Sequence, residues 1–485
     1  MSGKLSSLNP NALWSIFEDF CNIPHPSKNE ELIVKYVKNM GHELGLETIV
    51  DNIGNVLIRK PATPGYEDRL TVILQSHLDM VPQKNNDTQH DFEKDPINVY
   101  VDNGWVRARG TTLGADNGIG AAAALAILQN KDISHGPLEC LFTVDEETGM
   151  TGAFALQKGL MKGDILINLD SEDEGELYIG CAGGIDTKVV FNYKTINVAG
   201  ESQGYDIIVK GLKGGHSGLD IHLGRGNANK LLTRILWQAN RNLSLQLASI
   251  SGGNLRNAIP REAEAKVVVP MAHSQAFIRS ADQLIQQIKK ELQNTEPTLE
   301  IIIKPCTAPS EIIEPEITTR LLNSLYACPN GVIRVIDDMP DVVETSTNLS
   351  IVKSSDGIVE INSLQRSSSD SAKEDLCNMI RSVFELAGAS VEHKGSYPGW
   401  KPNLDSNILK TMLKVFDNMY DKSPRIKVIH AGLECGIIGG IYPGLDMISI
   451  GPTIRHPHSP DEKVEIKSVG FFWDFLLETL KNIPA

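Results

Sequence analysis

Three apolar runs in the first third of this chain each end in ionisable residues. Residues 71–76 lead into His77-Leu78-Asp79, residues 138–143 into Asp145-Glu146-Glu147, and residues 164–168 into Leu169-Asp170. Runs of this length and apolarity fit strands buried on both faces, the kind found in a parallel sheet covered by helices. Acids at the end of such a strand are costly to bury unless a cation offsets them. Between the runs, residues 118–129 are Ala-rich and helical, and residues 97–101 and 105–108 flank Asp102-Asn103-Gly104, a hairpin signal. Residues 11–21 and 30–44 have helical periodicity, the second with Ser27 as expected cap and Glu30 three residues on. The alternation predicts an α/β fold: a mixed, mostly parallel sheet with helices on both faces. Ligands in such sheets collect beyond the carboxyl ends of the strands, where His77, Glu146, Glu147 and Asp170 fall.

A chain of 485 residues is too long for one core, so two domains are expected. The pattern changes near Gly184. Residues 205–305 read strand, helix, strand, helix, strand, and a similar order recurs over residues 318–394. This predicts an inserted α+β domain with two ferredoxin-like halves. Helix 406–419, strand 447–451 and helix 466–480 return to the first style. The expected organisation is therefore 1–186 and 399–485 as one domain, with 187–398 inserted.

Composition narrows the partners. The net charge is −15, with 61 acidic side chains against 46 basic ones, spread along the chain. That argues against nucleic acid and against anionic membrane. Seven dispersed cysteines without a C-x-x-C pair read as reduced thiols in a cytoplasmic protein. The N-terminus does not read as a signal peptide, and no run is long enough to span a membrane.

Two further motifs complete the ionisable set. Gly114-Ala115-Asp116-Asn117 lies in a Gly-rich turn that opens a helix, and His458-Ser459-Pro460-Asp461-Glu462 lies in a polar loop. Each motif alone is ordinary. A lone His-x-Asp is usually a satisfied core histidine, adjacent glutamates are usually solvated, and GTTLGADNGIG lacks the Lys-Ser/Thr pair of a phosphate loop. Together, two imidazoles and three carboxylates make a ligand set for two divalent ions, with one carboxylate shared. One glutamate is left over as a base. Asp79 lies on the same side of the strand as His77 and can accept the other imidazole N–H.

The stretches SHLDMVPQKNNDTQHDFEKDPI, ARGTTLGADNGIG, IGCAGGID, GLKGGHSG, LRNAIPREA, YPGW, HAGLECG and GPTIRHPHSPDE carry a resemblance that runs nearly end to end. The chain resembles the di-zinc metallopeptidases of the aminoacylase and carboxypeptidase superfamily, and within it the aminoacyl-histidine dipeptidases. The resemblance implies that His77 and Asp170 hold one metal, that Glu147 and His458 hold the other, and that Asp116 bridges them. It makes Glu146 the general base, Asp79 the carboxylate behind His77, the inserted domain a lid, and His216 of the GGHSG turn a donor to the oxyanion. Asn257 and Arg366 match positions associated with the substrate backbone, and an arginine is a natural clamp for a terminal carboxylate. A solvated Arg366 is an equal alternative. His430 and Glu434 in HAGLECG depart from the turn that many superfamily members carry, as in the dipeptidase branch. His430 joins the candidate substrate-binding residues; whether the pair lines a specificity pocket stays open.

The implied activity is metal-dependent hydrolysis of dipeptides, including Xaa-His such as β-alanyl-histidine. An N-acyl-amino-acid amidohydrolase is the alternative enzyme, and a non-catalytic metal-binding homologue the alternative class. Two zinc ions are expected, with cobalt or manganese able to substitute. No nucleic acid or membrane partner is expected, and a homodimer stays open.

Overall fold

The computed structural model describes residues 5–485. The chain divides into two units. The first comprises the residues up to Gly180 with Trp400–Val428 and Leu433–Ala485; the second comprises Cys181–Gly399 with Ile429–Gly432. The changeovers therefore come at 180/181 and 399/400, against the expected 186/187 and 398/399, and four residues near 430 return to the second unit.

The first unit is built on an eight-stranded sheet. Its order is Glu47–Val50, Val56–Lys60, Leu138–Thr143, Val72–His77, Ile165–Asn168, Asp446–Ser449, Glu176–Cys181, Arg425–Ile429. The four central strands, from Leu138–Thr143 to Asp446–Ser449, run parallel. Every residue of Leu138–Thr143, Val72–His77 and Ile165–Asn168 is buried, which is why these runs lack polar alternation. Helix Ala115–Gln129 packs on strand Val72–His77 and helix Asn11–Asn22, and from Asn117 to Leu128 it is buried on all sides. Its alanines let neighbouring backbone come close. A Cβ at Gly120 would stand 2.6 Å from the Leu169 carbonyl oxygen.

A smaller sheet in this unit runs Ile454–Arg455, Lys463–Glu465, Trp105–Ala108, Val99–Asp102. Its first two strands pair antiparallel, Ile454 with Val464 and Arg455 with Lys463, so residues 456–462 form a hairpin loop. One sequence expectation fails here. The second helix begins at Glu31 with no side-chain cap, and the Ser27 hydroxyl donates instead to Asp79 Oδ2 at 2.8 Å.

The second unit carries one nine-stranded antiparallel sheet. Ser202–Lys210, helix Ala228–Leu243, Gln246–Gly252, Ala263–Pro270, helix Ser274–Glu291 and Glu300–Cys306 form a β-α-β-β-α-β unit with spatial order fourth-first-third-second. Gly183–Asn192, helix Pro315–Ala327, Met339–Ser355, Ile358–Ser367, helix Asp370–Leu386 and Ser390–Tyr397 repeat that order. The halves join where Gln246–Gly252 pairs with Met339–Ser355. The repeat is not tandem: the first half is inserted after the opening strand of the second. Among the described residues no helix is long and apolar enough to cross a membrane, and all seven cysteines are free thiols.

Candidate functional site

Strand Val72–His77 lies between Leu138–Thr143 and Ile165–Asn168, with His77 beside Thr143 at the carboxyl ends. The strands thus deliver His77, the segment after Thr143 and the segment after Asn168 to one edge. His77 Nε2 stands 3.3 Å from Asp116 Oδ1 and 3.3 Å from Asp170 Oδ1. Its Nδ1 lies 3.0 Å from the Asp79 carbonyl oxygen and 3.3 Å from Asp79 Oδ1. A proton on Nδ1 is therefore held by Asp79, which leaves the Nε2 lone pair for a cation.

The hairpin loop brings in the other histidine. His458 Nε2 is 2.9 Å from Glu147 Oε2 and 3.4 Å from Asp116 Oδ2. The two oxygens of Asp116 thus face different imidazoles. His77, Asp116 and Asp170 form one group of ligand atoms within 4.8 Å, and Asp116, Glu147 and His458 form another. Glu147 Oε1 and Asp170 Oδ1 are buried without a hydrogen-bond partner. Orphaned carboxylate oxygens among imidazoles are the donors a divalent cation takes, so these residues fit a metal.

The electrostatics record the same crowding. Burial pushes Asp170 up to about 7, with Asp116 and Glu434 adding to the rise and His77 opposing it. Hydrogen bonds to Asp116 and Glu147 raise His458 to about 11. Burial acts to raise Asp116 as well, but its hydrogen bonds to His458 and His77 hold it below the ordinary carboxylate range.

Glu146 opens a one-turn helix, Glu146–Gly149. The N–H groups of Glu146 and Glu147 donate to Asp79 Oδ1 and Oδ2 at 3.0 and 3.2 Å. Asp79 therefore serves two ends, the His77 ring and the exposed donors of this turn. Asp145 precedes the turn with φ of 52° and accepts the Thr148 and Thr151 hydroxyls. Burial raises the Glu146 carboxyl well above its ordinary range; Asp170, Glu434 and Glu147 add to the rise, and His77 opposes it.

Three residues with no assigned role in the sequence reading complete this region. Glu462, four residues after His458, is buried and accepts the N–H groups of Leu113, Gly114, Ala115 and Asp116 at 2.6, 3.0, 2.8 and 3.3 Å. One hairpin thus supplies both a histidine and the clamp on the loop that carries Asp116. Glu434 and Gln75 are fully buried and hydrogen-bonded to each other at 2.6 Å. The available signal for Gln75 was a polar residue inside an apolar strand.

The remaining candidates belong to the second unit. His216 Nδ1 accepts the N–H groups of Gly218 and Leu219 at 3.2 and 3.0 Å. Burial, then the Arg366 charge, lowers His216 to about 4, so the ring is neutral with its proton on Nε2. Arg366 is 5% exposed; its Nη1 donates to the Tyr397 hydroxyl at 3.1 Å, and its Nε has no partner. Burial and the Arg366 charge hold His430 at about 3, and its Nε2 lies 2.7 Å from Ser346 Oγ. Asn257 is exposed, and its carbonyl accepts the Ser217 N–H at 2.8 Å, which ties it to the GGHSG turn.

The family model for peptidase family M20/M25/M40 matches residues 73–482. The chain belongs to this family. It is a peptidase, a hydrolase acting on peptides. Within M20/M25/M40 it is similar to the cytosol non-specific dipeptidase of Escherichia coli (strain K12), 50% identical over 99% of each chain. The crystal structure of aminoacylhistidine dipeptidase from Vibrio alginolyticus superposes with a TM-score of 0.96 at 47% identity, covering 100% of this chain and 99% of that one. Aminopeptidase PepT from Bacillus cereus, at 16% identity and a TM-score of 0.58, shares the fold, covering 99% of this chain and 100% of that one.

Proposed function

We propose that this M20/M25/M40 peptidase is a dipeptidase that uses two divalent metal ions, zinc by its donor set, with cobalt or manganese able to substitute. The observation that carries the reading is the Asp116 carboxylate, whose oxygens face His77 and His458 separately. His77 and Asp170 would hold one ion, Glu147 and His458 the other, and Asp116 both. The identity to a cytosol non-specific dipeptidase over nearly the whole chain supports the substrate class. Substrates of the Xaa-His type, β-alanyl-histidine included, follow from the likeness to an aminoacylhistidine dipeptidase.

The ions, when bound, polarise the scissile carbonyl and acidify the attacking water. The rest falls to the chain. Glu146 takes the proton from the attacking water and passes it to the leaving amine, and burial, which raises its carboxyl above the ordinary range, strengthens it as a base. Asp79 keeps Glu146 and His77 in register, since one carboxylate contacts both segments. His216 donates its Nε2–H to the developing oxyanion; its neutral state and engaged Nδ1 support that role. Arg366, buried with an unmet donor, takes the substrate's terminal carboxylate. Asn257 and His430 flank that end of the substrate, and the second unit acts as a lid.

A substrate panel tests the reading. Dipeptides are expected to turn over, whereas acetyl-amino acids and longer peptides are not. Preferred turnover of acetyl-amino acids would make the enzyme an amidohydrolase, and no turnover of any member would make it a non-catalytic homologue.

A further inference from the structure

Glu434 is 0% exposed and opens helix Glu434–Ile441. Its Oε2 accepts from Gln75 Nε2 at 2.6 Å and from Thr143 Oγ1 at 2.8 Å. Both partners are neutral. Its Oε1 is buried and has no partner at all. Burial pushes Glu434 up to about 7, so holding it as a carboxylate with one oxygen unmet carries a desolvation cost that a nearby cation or further donors would offset.

The group is on the working face of the sheet. Gln75 precedes His77 by two residues on one strand, so the two side chains share a face. Thr143 is the strand neighbour of His77. The charge of Glu434 is felt at both Glu146 and Asp170. Its orientation is also fixed. Gln75 Oε1 accepts from Asn168 Nδ2 at 2.5 Å, and Asn168 Oδ1 accepts from Ser449 Oγ at 2.5 Å and from the Asp170 N–H at 3.3 Å. This buried chain anchors Oε2 and leaves Oε1 as a spare acceptor close to the residues proposed for chemistry.

We propose that Glu434 receives the free N-terminal ammonium of the dipeptide through Oε1, which makes it a specificity-determining residue; this rests on the dipeptidase reading above. A primary ammonium is compact, carries a full charge and offers three donors. A dipeptide brings one next to its scissile bond. An N-acyl amino acid brings a neutral group there and leaves the acid unpaired. Glu434 thus gives a physical reason for one site chemistry to prefer dipeptides over acyl-amino acids.

The test compares alanyl-alanine with propionyl-alanine, its skeleton without the amino group, on the metal-loaded wild type and on Glu434→Gln. Metal content is measured on the same samples. The wild type is expected to favour alanyl-alanine. Glu434→Gln should lose about ten- to a hundredfold in kcat/KM on alanyl-alanine, the scale of one charged hydrogen bond. Turnover of propionyl-alanine should stay within about twofold of the wild type, and metal content should be unchanged. An equal loss on both substrates would assign Glu434 to the catalytic framework and overturn the proposal. So would a wild type that cleaves both equally well, a result that needs no variant to fold. A wild type that cleaves neither substrate would instead remove the dipeptidase reading on which the proposal rests.

Discussion

At the scale of single residues, the proposed base, Glu146, is where binding and chemistry can be told apart. Glu146 is one residue from the proposed ligand Glu147, and the Asp79 carboxylate fixes the N–H groups of both. An amide at 146 keeps the shape but cannot carry a proton. Glu146→Gln is therefore expected to retain its metal while turnover falls about a hundred- to ten-thousandfold. Elemental analysis and dipeptide turnover on one sample check it, and near-normal turnover would remove the role. Of the proposed ligands, His77, Glu147 and Asp170 drew notice in the sequence because each follows an apolar strand, and Asp116 because it lies in a Gly-rich turn, whereas His458 sits in a polar loop and gave the weakest signal. Glu434 stood out only as part of the HAGLECG departure, with no role attached, and Gln75 not at all. A lone buried acid looks like any surface acid until its 0% exposure is known, and its partner Gln75 lies 359 residues away.

At the scale of elements, the site depends on a hairpin pairing that brings distant segments together. Strand Lys463–Glu465 pairs with Trp105–Ala108, so the loop carrying His458 and Glu462 meets the turn before Asp116. Four consecutive N–H groups then converge on the Glu462 carboxylate. An amide in its place accepts through one oxygen only and turns donors toward donors. Glu462→Gln is expected to weaken metal affinity by about ten- to a hundredfold, the usual effect of losing a ligand's support. Competition with a chelating dye measures it. Lowered thermal stability with unchanged metal affinity would make Glu462 a purely structural clamp. The central strands and the helix Ala115–Gln129 were readable from largely apolar runs. The Ser27 cap was misread because the helix begins at Glu31 with Glu30 in the cap position, which leaves Ser27 outside it, where its hydroxyl donates to Asp79.

At the scale of the whole molecule, the inserted unit carries groups with no metal-binding role. His216 lies in it, neutral and with Nε2–H free to donate. If that donor acts on the oxyanion, the contact strengthens only in the transition state. His216→Ala is then expected to lower kcat and kcat/KM together by about a hundred- to a thousandfold, with KM and metal content little changed. A rise confined to KM would make His216 a binding residue. The two halves of this unit were visible in the sequence as a repeated element order. Their nesting was not, because the opening strand Gly183–Asn192 is separated from its own half by the whole of the other.

The central claim is that two ions sharing Asp116 power dipeptide hydrolysis. It is tested most directly by stripping the protein of metal and titrating zinc back while dipeptide turnover and bound zinc are read together. The account predicts no turnover in the stripped protein and a rise that levels off as the second ion per chain is bound. Full turnover without metal, or a plateau at one ion per chain, would contradict it.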